Sequence, residues 1–317
     1  MNTLLKYKPG WMQLLIFGLL TIGINFIVSI LAVFAVSNFY NISPAEFKAM
    51  DLTNPTLVSA LKSLQVIISI AWFLVPSLIF AQMSDTNPLP YIGFKNPVPK
   101  IFLLLAIVVI VASFPMVAWL SEINQNMHLP KSFQATEKLI RDSEAQNNNL
   151  IRTFLDMKSP TDLAIMLFML GVLPAIAEEV FFRGVLQRLL ILLTKRPWIG
   201  TIFTAILFSA LHGQFLGFFP RLVLGIVLGA LYWYSGSLWP GILAHFINNA
   251  VQVIMVYYNP HFFDEKDQNL SVLMVTASTI IVAVIMWWMV KISQTRFAEV
   301  YDTDDDFHIG PRDQFIA

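Results

Sequence analysis

The 317 residues are 56% hydrophobic and only 13% charged, and 20 basic residues balance 20 acidic ones. Soluble domains carry about a quarter charged residues, so this composition places the chain in contact with membrane lipid. Zero formal net charge gives no reason to expect a nucleic-acid partner, and the lack of cysteine excludes disulfides and thiolate chemistry.

A span needs about 20 apolar residues to cross the hydrocarbon. That length predicts an all-α polytopic membrane protein of about eight helices, near 11–38, 57–83, 99–122, 161–194, 198–217, 219–235, 238–258 and 270–292. The whole chain, 1–317, reads as one integral membrane domain, with its polar chemistry gathered in a core at 160–258. Lys6 and Lys8 precede an apolar run from Trp11 to Val36. That run is much longer than a secretory h-region of about 7–15 residues, so a retained anchor is expected even though Ala35-Val36-Ser37 resembles a cleavage site.

The segment 123–160 is polar and carries Lys131, Lys138, Arg141, Arg152 and Lys158. Leu139, Ile140, Leu150, Ile151, Phe154 and Leu155 give it an interrupted stripe, which fits an amphipathic helix on the membrane surface or an exposed loop. Ser159-Pro160 supplies an N-cap and a first-turn proline for the fourth span. That span would be about 50 Å long, so it is expected to tilt or to kink at Pro174. Only Gly236-Ser237 separates the sixth and seventh spans. The tail 296–317, with Asp302 and Asp304 to Asp306, reads as solvated. With the N-terminus cytoplasmic, Lys6, Lys8, Lys95, Lys100, Arg188, Lys195, Arg196, Lys291 and Arg296 all fall inside, and an even helix count returns the C-terminus there. A plasma (inner) membrane is the expected location.

Ionisable residues away from the span ends are few: Lys62, Glu178, Glu179, Arg183, His212 and His245. Charges at membrane depth cost at least about 3 kcal/mol each, so they persist where they are paired, wet or functional. Lys62 is one turn inside its helix and can snorkel to the interface. Glu179 and Arg183 are four apart and can pair along one face. Glu178 is rotated about 100° from Glu179, free to face another helix. Phe208 and His212 share a face, as do His245 and Asn249. A carboxylate, two imidazoles and an amide suit hydrolysis by activated water. One Glu and two His, here Glu178, His212 and His245, also form a known catalytic zinc ligand set. Spacing alone leaves both open.

Glu178-Glu179-x-x-x-Arg183, Phe208-x-x-x-His212 and His245-x-x-x-Asn249 resemble, in order and type, the motifs of the CPBP family. These are CAAX proteases and bacteriocin-processing or Abi-type enzymes, related to the eukaryotic CAAX prenyl endopeptidase. The matched region runs from Pro174 to about Val253. The resemblance implies an intramembrane endopeptidase acting on a protein or peptide, with an all-helical fold and a cavity reached from the membrane. It implies that Glu178 and His212 activate water and that His245 and Asn249 hold the oxyanion. Glu179 and Arg183 would support them, and Phe208 would shape the site. Zinc-dependent and metal-free glutamate mechanisms are both compatible with it, and oligomeric state is left open.

Two other functions fit the same residues. A proton-coupled transporter would use the cluster as a relay, although no repeat relates the halves of the chain. A binding or immunity protein could keep the fold without cleavage. His128, His261 and His308 read as solvated, and Gly225 with Gly229 as a close helix-packing pair. Trp198, Trp239, Tyr257-Tyr258 and Trp287-Trp288 suit interfacial belts.

Overall fold

A computed structural model describes residues 4–95, 98–262 and 270–293. Arg296, His308 and the acidic tail lie outside the described residues. Among the described residues, seven helices are long and apolar enough to cross a bilayer. These are α1 (Gly10–Tyr40), α2 (Pro55–Ser84), α3 (Lys100–Gln125), α5 (Pro160–Thr194), a helix at Phe215–Ser235, α8 (Leu238–Tyr258) and α9 (Val272–Ile292). The regular α-helical part of the Phe215–Ser235 span is α7 (Phe218–Ser235). The protein is an all-α integral membrane protein.

The fifth predicted span, 198–217, is shorter than expected. Its helix α6 (Pro197–Ala210) has 14 residues, about 21 Å against a hydrocarbon thickness of about 30 Å. Gly213, at φ +66°, then reverses the chain, and α6 packs along α7 as an antiparallel hairpin. The polar segment forms α4 (Gln134–Phe154). Its last turns bury Phe154 and Leu155, and Lys62 Nζ stands 5.8 Å from the Phe154 ring. Ser159 caps α5 by accepting the Asp162 N–H at 3.1 Å.

Prolines shape the spans. A π-helical stretch at Ile70–Leu74 leads into Pro76, and another at Leu167–Val172 leads into Pro174. Proline has no N–H and its ring clashes with the carbonyl four residues back, which the wider turn relieves. The kink expected at Pro174 thus takes the form of a wide turn just before it. Pro115 sits inside α3. Beside it, Ser278 of α9 joins the gap between Ala112 and Met116: its Oγ donates to the Ala112 carbonyl at 2.5 Å and accepts the Met116 N–H at 3.2 Å. A neighbouring helix thereby satisfies backbone that lipid cannot.

Packing places α5 at the centre and α1 at the edge. α1 exposes Leu15, Leu19, Ile22, Phe26, Ile30 and Phe34, the surface a lipid-facing helix presents. α5 buries every residue from Glu179 to Leu189. Aromatic rings link the two. Phe17 of α1 lies 4.8 Å from Phe181, Phe181 5.0 Å from Phe182, and Phe182 5.1 Å from Phe208 of α6. The last two contacts are edge-to-face, which fixes ring orientation, and the chain of rings ends at two histidines.

Candidate active site

Phe208 holds the site together from below. It is 4% exposed, and its ring centre lies 4.9 Å from the His212 ring and 5.9 Å from the His245 ring. The Arg183 guanidinium stands 4.7 Å over its face. His212 follows the end of α6, two residues beyond Ala210, and still reaches back one turn: its Nδ1 donates to the Phe208 carbonyl at 2.6 Å. A carbonyl only accepts, so Nδ1 carries the proton and Nε2 of the neutral ring is an acceptor.

The second imidazole is held by a carboxylate. His245 Nδ1 lies 3.0 Å from Glu179 Oε1, and the same oxygen takes Arg183 Nη1 at 2.8 Å. Glu179 and Arg183 are both 0% exposed. Two charges removed from water this completely persist only when paired and hydrogen-bonded. Arg183 is further satisfied by the Gly225 carbonyl, at 3.0 Å from Nη2.

Glu178, rotated away from that pair, faces both rings. Its Oε2 is 3.9 Å from His212 Nε2 and 3.9 Å from His245 Nε2. That oxygen is buried and has no hydrogen-bond partner among the described residues. The structure therefore brings together Glu178, His212 and His245 from α5, the end of α6 and α8.

The spacing distinguishes what can sit between them. A water oxygen about 2.8 Å from two acceptors 3.9 Å apart sees them at an angle of about 90°, workable for its two O–H donors. A zinc ion about 2.1 Å from both would see them at about 140°, far from tetrahedral. Among the described residues, no group of three His, Cys, Asp or Glu side chains has the geometry of a metal site. The donor types of Glu178, His212 and His245 suit zinc, but their present spacing is wider by about 0.5 Å than a tetrahedral site takes.

Asn249, one turn along α8 from His245, has its amide orientation set. Pro174 has no N–H to offer the Leu170 carbonyl four residues earlier, and that carbonyl accepts Asn249 Nδ2 at 3.1 Å. Asn248 Nδ2 donates to Asn249 Oδ1 at 3.0 Å, which fixes which end of the amide is the donor. One of the two Nδ2 hydrogens remains for a ligand.

Beneath the site runs a feature not foreseen in the sequence. Glu179, Arg183 and Gln187 line one side of α5, each against a glycine. A Cβ at Gly241 would stand 2.9 Å from Glu179 Oε2, and one at Gly229 2.7 Å from Gln187 Oε1. Gln187 Nε2 donates to the Gly229 carbonyl at 3.0 Å, repeating one turn on what Arg183 does at Gly225. Gly225 and Gly229 do pack closely, against Ala205 and Thr201 of α6, but their carbonyls also serve as acceptors for buried polar groups. Gln187 lies four residues beyond Arg183, the signal that extends the stripe.

Comparison with known proteins reaches the same helices. The protein YpbD of Bacillus subtilis (strain 168), described as uncharacterized, is 31% identical over 106 residues, which is 32% of this chain and 51% of that protein. The chain thus spans about half the length of that relative. No solved structure matches. Over residues 160–251, from the start of α5 to past Asn249, the protein is similar to the family described as type II CAAX prenyl endopeptidase Rce1-like.

Proposed function

We propose that this protein is an intramembrane endopeptidase that hydrolyses peptide bonds of membrane-associated proteins or peptides with water activated by Glu178 and His212. The observation that carries the reading is the 3.9 Å separation between Glu178 Oε2 and His212 Nε2, two acceptors facing each other. A water seated there donates one hydrogen to each and turns its lone pairs outward, toward a substrate carbonyl. Glu178 takes the proton as the water attacks and can return it to the leaving amine.

The tetrahedral intermediate carries an oxyanion that needs donors. Asn249 offers its remaining Nδ2 hydrogen. His245 donates from Nε2 when that nitrogen carries a proton, and Glu179 at its Nδ1 holds the ring in place. Arg183 holds Glu179 in position for the task. Phe208 sets the tilt of both rings. Water activation by Glu178 and His212 needs no metal, and 1,10-phenanthroline is expected to leave cleavage unchanged. CAAX-type substrates, or leader peptides, are the substrate classes that the resemblance suggests.

The positive-inside pattern supports cytoplasmic N- and C-termini in a plasma membrane. An even parity for that reading counts the short α6 together with the seven long helices. The test is a comparison of protein termini in cells carrying wild type or Glu178→Ala at equal membrane levels. Termini present only with wild type are expected. Identical termini, with a solute flux that depends on His212, would replace the peptidase with a carrier.

A further inference from the structure

The mechanism above needs His212 in place, yet His212 is the least buried of the three, its side chain 30% exposed, and it sits beyond the end of its helix. What holds it comes from elsewhere in the chain. After Gly213 the turn enters α7 through a short 3-10 stretch, Phe215–Gly217, and the N-cap of α7, Gly217, has no side chain to offer. The first N–H groups of a helix have no partner within it and must find one outside.

Two buried side chains provide it. Asn124, at the far end of α3 and 0% exposed, accepts the Phe219 N–H at 2.9 Å and donates to the Phe215 carbonyl at 3.1 Å. Glu144, in the middle of α4 and 8% exposed, accepts the Leu216 N–H at 2.7 Å. A carboxylate at a helix N-terminus also meets the positive end of the helix dipole. From the other side, Arg221 grips Gln214 twice, at its Oε1 (2.8 Å) and its backbone carbonyl (2.5 Å).

We propose that Glu144 is a positioning residue for the reaction: through the Leu216 N–H, the surface helix α4 clamps the turn that carries His212 and so sets the His212–Glu178 spacing. The inference rests on the reading of Glu178 and His212 as the water-activating pair. It assigns the polar helix, which lies outside the matched residues 160–251, a direct part in the site.

The experiment uses the full-length protein as wild type, Glu144→Ala, Glu144→Gln and Glu178→Ala. Two quantities are read: cellular termini that disappear in Glu178→Ala, and hydrogen exchange of the segment 211–219 in purified protein. Glu144→Ala is expected to lower the yield of those termini about tenfold and to speed exchange at Leu216 by a similar factor, as loss of a hydrogen bond to a charged acceptor implies. Glu144→Gln keeps an oxygen acceptor and is expected to restore both to within about twofold. Unchanged termini and exchange in Glu144→Ala would overturn the clamp, as would a Gln variant as defective as Ala. If Glu178→Ala removes no termini, the peptidase reading fails and takes this role with it, an outcome recognised from that variant alone.

Discussion

Replacing Arg183 with methionine isolates the energetic centre of the site. Methionine fills much of the space but removes the 2.8 Å bond to Glu179, the 3.0 Å bond to Gly225 and the charge over Phe208. Glu179, 0% exposed, is left with His245 as its partner among the described residues. Breaking a buried pair from one side costs about 3–5 kcal/mol, because the remaining charge is uncompensated. Removing the charge from both sides, in Glu179→Gln/Arg183→Met, leaves a neutral amide whose oxygen still accepts from His245 Nδ1. The double variant is therefore expected to be more stable than Arg183→Met, with a coupling of roughly 2 kcal/mol in the cycle. Reversible unfolding of the four proteins in mixed micelles with rising dodecyl sulfate measures both quantities. Cleavage is expected to be lost in single and double variants alike, since none retains the Glu179–Arg183 pair that holds the His245 ring. An Arg183→Met cost below about 1 kcal/mol, or strict additivity in the cycle, would refute the account of a charge pair that holds the site.

Four further outcomes follow from the same contacts. Gly241→Ala places a methyl 2.9 Å from Glu179 Oε2; cleavage should fall at least tenfold with membrane insertion intact, as termini profiling would show. Pro174→Ala supplies an N–H that competes for the Leu170 carbonyl, and with Asn249 freed to turn, turnover is expected to fall severalfold while substrate affinity is unchanged, as separate kcat and KM values would show. Ser278→Ala leaves the Ala112 carbonyl and the Met116 N–H without their bridge and should cost about 1 kcal/mol in the same unfolding assay, within the range for interhelical hydrogen bonds in membranes. On the surface, Glu137 is held down to about 2, from 4.5, by hydrogen bonds from His128 and Arg141 and from the Leu129 N–H. A carboxyl with a lowered folded-state pKa stabilises above its unfolded value, so this contribution is present above about pH 4.5 and lost as pH falls toward 2. Hydrogen exchange in α4 is expected to rise across that window in wild type and to stay flat in Glu137→Gln.

Much of this was legible without coordinates, and the reason is the bilayer. Hydrocarbon penalises any unpaired polar group, so six ionisable residues inside apolar runs stand out, and their helical spacing already separates Glu178 from the Glu179–Arg183 pair. Apolar length likewise announces seven of the helices. Where the signal failed, the physics is local to neighbours. The end of α6 at Ala210 depends on a glycine reversal and on caps donated by Asn124 and Glu144, residues 91 and 72 positions from the backbone groups they satisfy. Gln187 lies in the same apolar run, but as an uncharged amide it does not stand out among the ionisable residues until Gly229 is seen against it. Residue types and periodicity determine which groups must avoid lipid; only the packing of α3, α4, α5 and α8 around one turn decides that Glu178 Oε2 meets both Nε2 atoms at the same 3.9 Å, because that distance is set by contacts between helices far apart in the chain.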